Sequence, residues 1–430
     1  MNPTGLWAEA DRLVSLDEPA GAPVRLPIQV RRRRGYAREM ADPRAHLHLV
    51  DDDGLRRWVY EPPAAERLRR RARRAARPWI GDVIRSFSYP EQAERGPNQL
   101  AQALALLDAR LTPDQGMRRW DGSRFVADPA PALGGRTLLL IHGTFSSNEM
   151  FPVQWAATPE GQALWQTLQS RYPGRILAFD HPTLSVGPWI NALDLHAALR
   201  KVTGPIDVLT HSRGGLVALW WLRLAPSRAD RVVFVGSPLD GTSLASPYRL
   251  RAALDHFATI ADLLAAGGEA LSAVAPIAAG AAGLAKIFGR VLKLGASLPV
   301  ADAAVALVPG LASQQRTSNN EELRRLFADR WLGSPSLAAV AADFRPATSA
   351  PLWHVWERLK TAGAKAVAAG AELVFAGPNV LVVDRAAMDF VGTHQSLAPA
   401  DLLDLGSGNT WHTSYFRDPR VSAFLEQRLK

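Results

Sequence analysis

A chain of 430 residues, 47% hydrophobic and 21% charged, can bury a large core and has the composition of an ordinary globular protein. It contains no cysteine, which excludes disulfides, thiolate metal sites and cysteine nucleophiles, and no cofactor is implied. The net charge of +9 is concentrated early, in RRRR at 31–34 and RLRRRARRAAR at 67–77. These arginines read first as a solvated helix face. Nucleic acid is a weak second reading, because no zinc-finger, helix-turn-helix or RNA-recognition pattern accompanies them, and peripheral contact with an anionic membrane surface is a further one. The start, MNPTGLWAEADRLVSLDEPAGAP, carries acids early and has no apolar block of signal-peptide length, so a cytoplasmic protein is expected.

Residues 1–130 read as an N-terminal extension of short strands and arginine-rich helices. Alternation in VRLPIQV (24–30) and HLHLVDDDGLRRWVY (46–60) predicts strands, the latter pair joined by an Asp-Gly turn. QLAQALALLDARL (99–111) has helical spacing. After the proline and glycine linker ADPAPALGG (127–135) the texture changes. TLLLIHG (137–143), RILAFDH (175–181), IDVLTHS (206–212) and RVVFVGS (231–237) predict buried strands. Between them EGQALWQTLQSRY (160–172), INALDLHAALRKV (190–202) and GLVALWWLRLA (215–225) predict helices. Strands apolar on both faces and separated by helices imply an α/β domain over 136–430, a mostly parallel sheet covered on each side. The alanine- and glycine-rich stretch 248–312 interrupts this rhythm. Its longest uncharged run, Ala270 to Ala285, is too short and too weakly apolar to span a bilayer, so a helical insertion over the carboxyl edge of the sheet is expected. LAAVAADF (337–344) and AELVFAG (371–377) resume the strands, and DPRVSAFLEQRLK (418–430) closes on a helix.

Chemistry concentrates at the ends of the predicted strands. DVLTHSRGGLVALWW (207–221) places Ser212 between a strand and a helix, where a serine raised on a tight turn needs small residues two positions before and after it. Gly214 meets the second requirement, and Thr210 replaces the usual glycine at the first. His211 cannot serve as the serine's base, because adjacent side chains leave the turn in different directions. His142 and Gly143 end an earlier strand. Acyl transfer needs preorganised backbone donors for a developing oxyanion, and the hydrolase arrangement takes one from the residue after the nucleophile, Arg213, and another from the earlier loop, Thr144 or Phe145. His142 has no partner at ligand spacing, which favours a structural role over a metal. A base is expected after the last strand and before the last helix, where SGNTWHTSYF (407–416) places His412; His394 is its rival.

IHGT, LAFDHPTLS, THSRGG, VGSPLDGTSLA and WHTSYFRDPRV together resemble bacterial lipase-like members of the α/β-hydrolase superfamily over residues 136–430. The resemblance implies the α/β-hydrolase fold, Ser212 as nucleophile, His412 as base, and a lid formed by the insertion. It implies a small-molecule or lipid ester as substrate. The acid departs from the pattern. Related lipases commonly carry Asn-Asp where GPNVLVVDRAAMDF has Asn379 and Val380. Asp384 is the nearest replacement and is expected to be the acid, with Asp389 and Asp240 as alternatives. The missing carboxylate also supports a second expectation, a catalytically degenerate hydrolase-fold protein that acts as an interaction or regulatory module through its N-terminal third.

Overall fold

The structure is a computed structural model that describes residues 45–52, 55–61, 82–89, 97–245, 278–280, 282–284, 308–316, 318, 320–328, 335–345, 382–391 and 397–430. The arginine blocks, the strand expected at 371–377 and most of the insertion at 248–312 lie outside them, as do Asn379, Val380 and His394. The chain divides into two compact units. Strands β1 (Ala45–Asp52), β2 (Leu55–Glu61) and β3 (Asp82–Tyr89) belong to the first. They form an antiparallel sheet in the order β2-β1-β3. Asp52 pairs with Leu55 in the antiparallel register of β1 and β2, and the Asp-Gly turn expected between them lies outside the described residues.

The second unit takes Ala105–Pro247, Val305–Trp353 and Val374–Lys430. Helix α1 (Pro97–Leu111) ends in it. Its strands are β4 (Gly116–Trp120), β5 (Phe125–Ala127), β6 (Thr137–Ile141), β7 (Ile176–Asp180), β8 (Ile206–His211), β9 (Ala229–Val235), β10 (Ser336–Phe344) and β11 (Leu402–Gly408). They form one sheet in the order β11-β10-β9-β8-β6-β7-β4-β5. From β7 to β11 all neighbours are parallel, and β4 joins β7 and β5 antiparallel. Every residue of β6, β7 and β8 is buried, which is why these segments read as continuous apolar runs rather than alternating ones. The strands β4, β5 and β11 carry no such run and were not expected from the sequence.

Helices cover both faces. Leu138 and Leu140 of β6 join a core with α2 (Met150–Trp155), α3 (Pro159–Arg171) and the C-terminal α8 (Pro419–Arg428). Leu139 and Ile141 join the opposite core with α4 (Pro188–Ala198), α5 (Gly214–Leu224) and α7 (Glu321–Leu326). The alternation is the two-residue period of an extended chain. Several helix starts are legible as caps. Thr158 accepts from the Gly161 amide ahead of Pro159, and Asp418 accepts from the Arg420 amide ahead of Pro419. A short helix α6 (Pro309–Ala312) forms the last residues of the expected insertion, ahead of α7. No described helix is long and apolar enough to cross a membrane.

The chain leaves β6 toward β7 on one side, and from β8 it proceeds through β9 and β10 to β11 on the other. The reversal falls between the adjacent strands β6 and β8, whose carboxyl ends meet at the pair Ile141 and Thr210. In a parallel sheet this is where the following loops diverge and leave a crevice for a ligand.

Candidate active site

Two backbone positions at this crevice are conformationally costly. Among the described residues only Phe145 (φ 56°) and Ser212 (φ 54°) are non-glycine residues with positive φ. Such conformations cost on the order of 1–3 kcal/mol each and persist where the surroundings enforce them. Ser212 sits between the last residue of β8 and the first turn of α5. Its amide donates to the Val235 carbonyl at 3.0 Å, which pins the turn to the end of β9. Two glycines make the geometry sterically feasible. A Cβ on Gly214 would lie 2.4 Å from the Ile141 carbonyl oxygen, and one on Gly143 would lie 2.5 Å from the Ser212 Cβ. Thr210 fits where a glycine is more usual because its hydroxyl is accommodated at 3.3 Å from that of Ser237.

The structure brings Ser212 and His412 together. His412 lies between β11 and α8, and its Nε2 is 2.7 Å from Ser212 Oγ, with both residues buried. Burial, and secondarily the neighbouring His211, hold the His412 imidazole well below its ordinary range. A neutral imidazole can accept the serine proton. Its other nitrogen, Nδ1, has no hydrogen-bond partner among the described residues.

Asp384 is not brought to that nitrogen. Its carboxylate accepts from the Ser243 amide at 2.8 Å and the Ser243 hydroxyl at 3.2 Å, and it faces Arg316 at 3.7 Å. The chain after Val383 therefore serves to anchor the loop beyond β9. The alternatives are likewise engaged elsewhere, Asp240 with Arg316 at 3.7 Å and Asp389 with Arg385 at 3.1 Å.

The loop after β6 that carries Thr144 and Phe145 abuts the serine at Gly143, and Arg213 is the N-cap residue of α5. Backbone donors in a first helical turn lack intrahelical partners, and the helix end favours negative charge. The loop is held at several points. The Phe145 amide donates to Thr183 Oγ1 at 3.4 Å, and Gln314 Nε2 donates to the Thr144 hydroxyl at 3.1 Å. Thr112 donates to the Ser146 carbonyl at 3.0 Å, and the Asn148 amide donates to Asp180 at 2.7 Å. His142 is buried, with Nδ1 donating to the Gly143 carbonyl at 2.8 Å and Nε2 accepting from the His181 amide at 3.1 Å. Desolvation holds His142 down to about 3 and raises Asp180 to about 7.

Two supporting residues, Asp108 and Gln314, escaped the sequence reading, as did the role of the Arg213 side chain. Asp108 of α1 accepts from the amides of Thr183, Leu184 and Ser185 at 2.7 to 3.1 Å and from the Ser185 hydroxyl at 2.6 Å. The Arg213 side chain is fully buried. It donates to the Val186 carbonyl at 2.6 Å and to Asn191 Oδ1 at 2.8 Å, and burial lowers its pKa to about 10. Gln314 follows α6 and reaches Thr144 from the far end of the insertion. Polar residues inside an apolar helix, as with Asp108 in LALLDARL, were the available signal for the first. Among the described residues no cluster of histidine and carboxylate side chains could hold a metal ion.

No curated protein matches the chain. Among solved structures, the mature form of the Bacillus licheniformis lipase BlEst2 is 14% identical with a TM-score of 0.38, covering 71% of this chain and 95% of the other. Lipase 1 from Pelosinus fermentans is 12% identical with a TM-score of 0.42, covering 69% and 99%. The Cif epoxide hydrolase from Acinetobacter nosocomialis is 12% identical with a TM-score of 0.37, covering 80% and 100%. Residues 110–430 match a sequence family described as a domain of unknown function, DUF7379. With a parallel sheet reversing between β6 and β8 and a positive-φ serine at the strand-to-helix turn, the chain belongs to the DUF7379 family and has the α/β-hydrolase fold.

Proposed function

We propose that the protein is a serine hydrolase of carboxylic esters that works through a Ser212–His412 dyad. The observation that carries this reading is the 2.7 Å contact between Ser212 Oγ and His412 Nε2 at a serine held with φ of 54°. In the proposed reaction His412 Nε2 takes the Ser212 proton as Oγ bonds to the ester carbonyl carbon. The carbonyl oxygen becomes an oxyanion facing the backbone N–H groups of Arg213 and Thr144, the Phe145 amide being donated to Thr183. The tetrahedral intermediate collapses, the imidazolium protonates the departing alkoxide, and water hydrolyses the acyl-enzyme by the same steps in reverse roles. Small-molecule or lipid esters are the proposed substrates.

Without a carboxylate on Nδ1, the imidazolium is less stabilised than in a full triad, a loss of about 10⁴-fold in kcat where it has been isolated in a chymotrypsin-type protease. That same unpartnered nitrogen supports the second reading, a hydrolase fold no longer used for turnover. An active-site-directed fluorophosphonate separates the two. Labelling of the wild type that disappears in Ser212→Ala, together with turnover of p-nitrophenyl butyrate above the buffer rate, is the expected result. Absence of labelling of the wild type, including in detergent, rejects the dyad.

A further inference from the structure

We propose that His211 is a positioning residue for the general base, performing through the main chain the holding task that an acid performs in a full triad. The proposal rests on the Ser212–His412 reading above. His211 directly precedes the nucleophile, and its Nε2 lies 2.7 Å from the main-chain carbonyl of His412 in a buried contact. A carbonyl only accepts, so Nε2 carries the proton and donates it. One short hydrogen bond thus ties the backbone of the serine turn to the backbone of the loop that carries the base. The Ser212–His412 contact is also 2.7 Å, so a drift of that loop would stretch both bonds together.

Nothing else among the described residues makes a hydrogen bond to the base ring besides Ser212, since His412 Nδ1 is unpartnered. The ring's neighbour is His211 itself, at 5.0 Å between centroids and tilted by 42°. His211 is in turn backed by Phe416, at 5.9 Å. The protonation states are complementary. His211 donates from Nε2 and keeps a lone pair on Nδ1, whereas a His412 that accepts the serine proton at Nε2 carries its own proton on Nδ1. Both Nδ1 atoms are buried and without partners, one an acceptor and one a donor. Burial favours the neutral form of His211 and lowers its pKa to about 4, so the donor and the lone pair both persist at neutral pH. A histidine kept only to fill space would need neither the short bond nor this tautomer.

The test compares His211→Gln, His211→Asn and His211→Leu in the full chain. The glutamine Nε2 reaches about as far as the imidazole Nε2, whereas the asparagine amide ends near the position of Nδ1 and falls short. The readouts are the second-order rate of Ser212 labelling by a fluorophosphonate and the steady-state turnover of p-nitrophenyl butyrate. His211→Asn and His211→Leu are expected to lower the labelling rate and kcat by about 10- to 100-fold with KM within about twofold, and His211→Gln to stay within about threefold of wild type. Asn or Leu variants as fast as wild type, or a Gln variant as slow as Asn, overturn the proposal. If the Leu variant fails to fold, the Gln and Asn pair decides alone, because both are polar and close in volume. A wild type that is never labelled rejects the hydrolase reading instead, and the two failures are therefore distinguishable.

Discussion

The chemistry proposed for the site depends on one imidazole whose environment differs from that of a full triad. His412 is buried, has another histidine beside it, and has no carboxylate on Nδ1 among the described residues. Each of these features disfavours its cation. General-base catalysis requires the neutral form, so the depressed pKa extends the active range downward. The acid limb of kcat/KM for p-nitrophenyl butyrate is therefore expected to fall below pH 6.5, the ordinary histidine value, with activity retained as the pH drops through 6. A half-maximal point at or above pH 6.5 would mean that an anion supports the ring and would reject this description. At this scale the sequence picked out, by order and spacing, two residues whose side chains lie 2.7 Å apart, Ser212 and His412. It misdirected the choice of acid. Asp384 lies close to the expected place in the chain, but its carboxylate is used by Ser243, and nearness in sequence carries no information about such a contact.

Between residues and the whole molecule stand the loops that hold the oxyanion side of the crevice. The segment after β7 has its amides turned inward at Thr183, Leu184 and Ser185, and one carboxylate, Asp108, receives them. Thr183 then accepts the Phe145 amide, so α1 supports the candidate oxyanion loop through two consecutive contacts. Removing the carboxylate leaves buried amides facing nothing, at about 1–3 kcal/mol per unsatisfied group. Asp108→Ala is expected to lower the unfolding free energy by about 2–4 kcal/mol, measured by urea denaturation with tryptophan fluorescence. A change below about 0.5 kcal/mol would show that the amides find other partners. The strands β6 to β9 and the three longer helices between them, α3, α4 and α5, were legible because burial on both faces or on one stripe leaves an apolar period. β4, β5 and β11 were not. LLDLGSG at β11 has only Leu405 buried, and GMRRW at β4 only Met117, so neither leaves the pattern by which a buried strand is recognised.

At the scale of the sheet-bearing unit, polar burial near the crevice gives folding a definite dependence on pH. His142, His181, His211 and His412 are fully buried, and desolvation lowers all four pKa values below 6.5, His142 to about 3 and His211 to about 4. An unfolded chain binds these four protons as the pH falls through 6.5, and the folded chain does not. Stability from these groups is thus complete above pH 6.5 and lost progressively below it. Asp180 acts with the opposite sign. Its folded pKa, raised to about 7, lets the native state bind a proton that the unfolded state binds only near 3.8, which offsets one histidine. Glu149 and Glu322, raised in the same direction by burial, offset more. The carboxylates held low by hydrogen bonds, Asp404 and Asp418, lose their contribution only below about 3.8 and do not act in this window. Between pH 6 and 5 four imidazoles are set against Asp180 and two glutamates, so unfolding takes up protons on balance, and each net proton is worth about 1.4 kcal/mol per pH unit. Urea denaturation at a series of pH values should therefore show unfolding free energy falling steeply from pH 6 to pH 5. A flat or rising profile would mean that the buried imidazoles are already protonated in the native state, and the neutral His412 on which the dyad depends would fall with it.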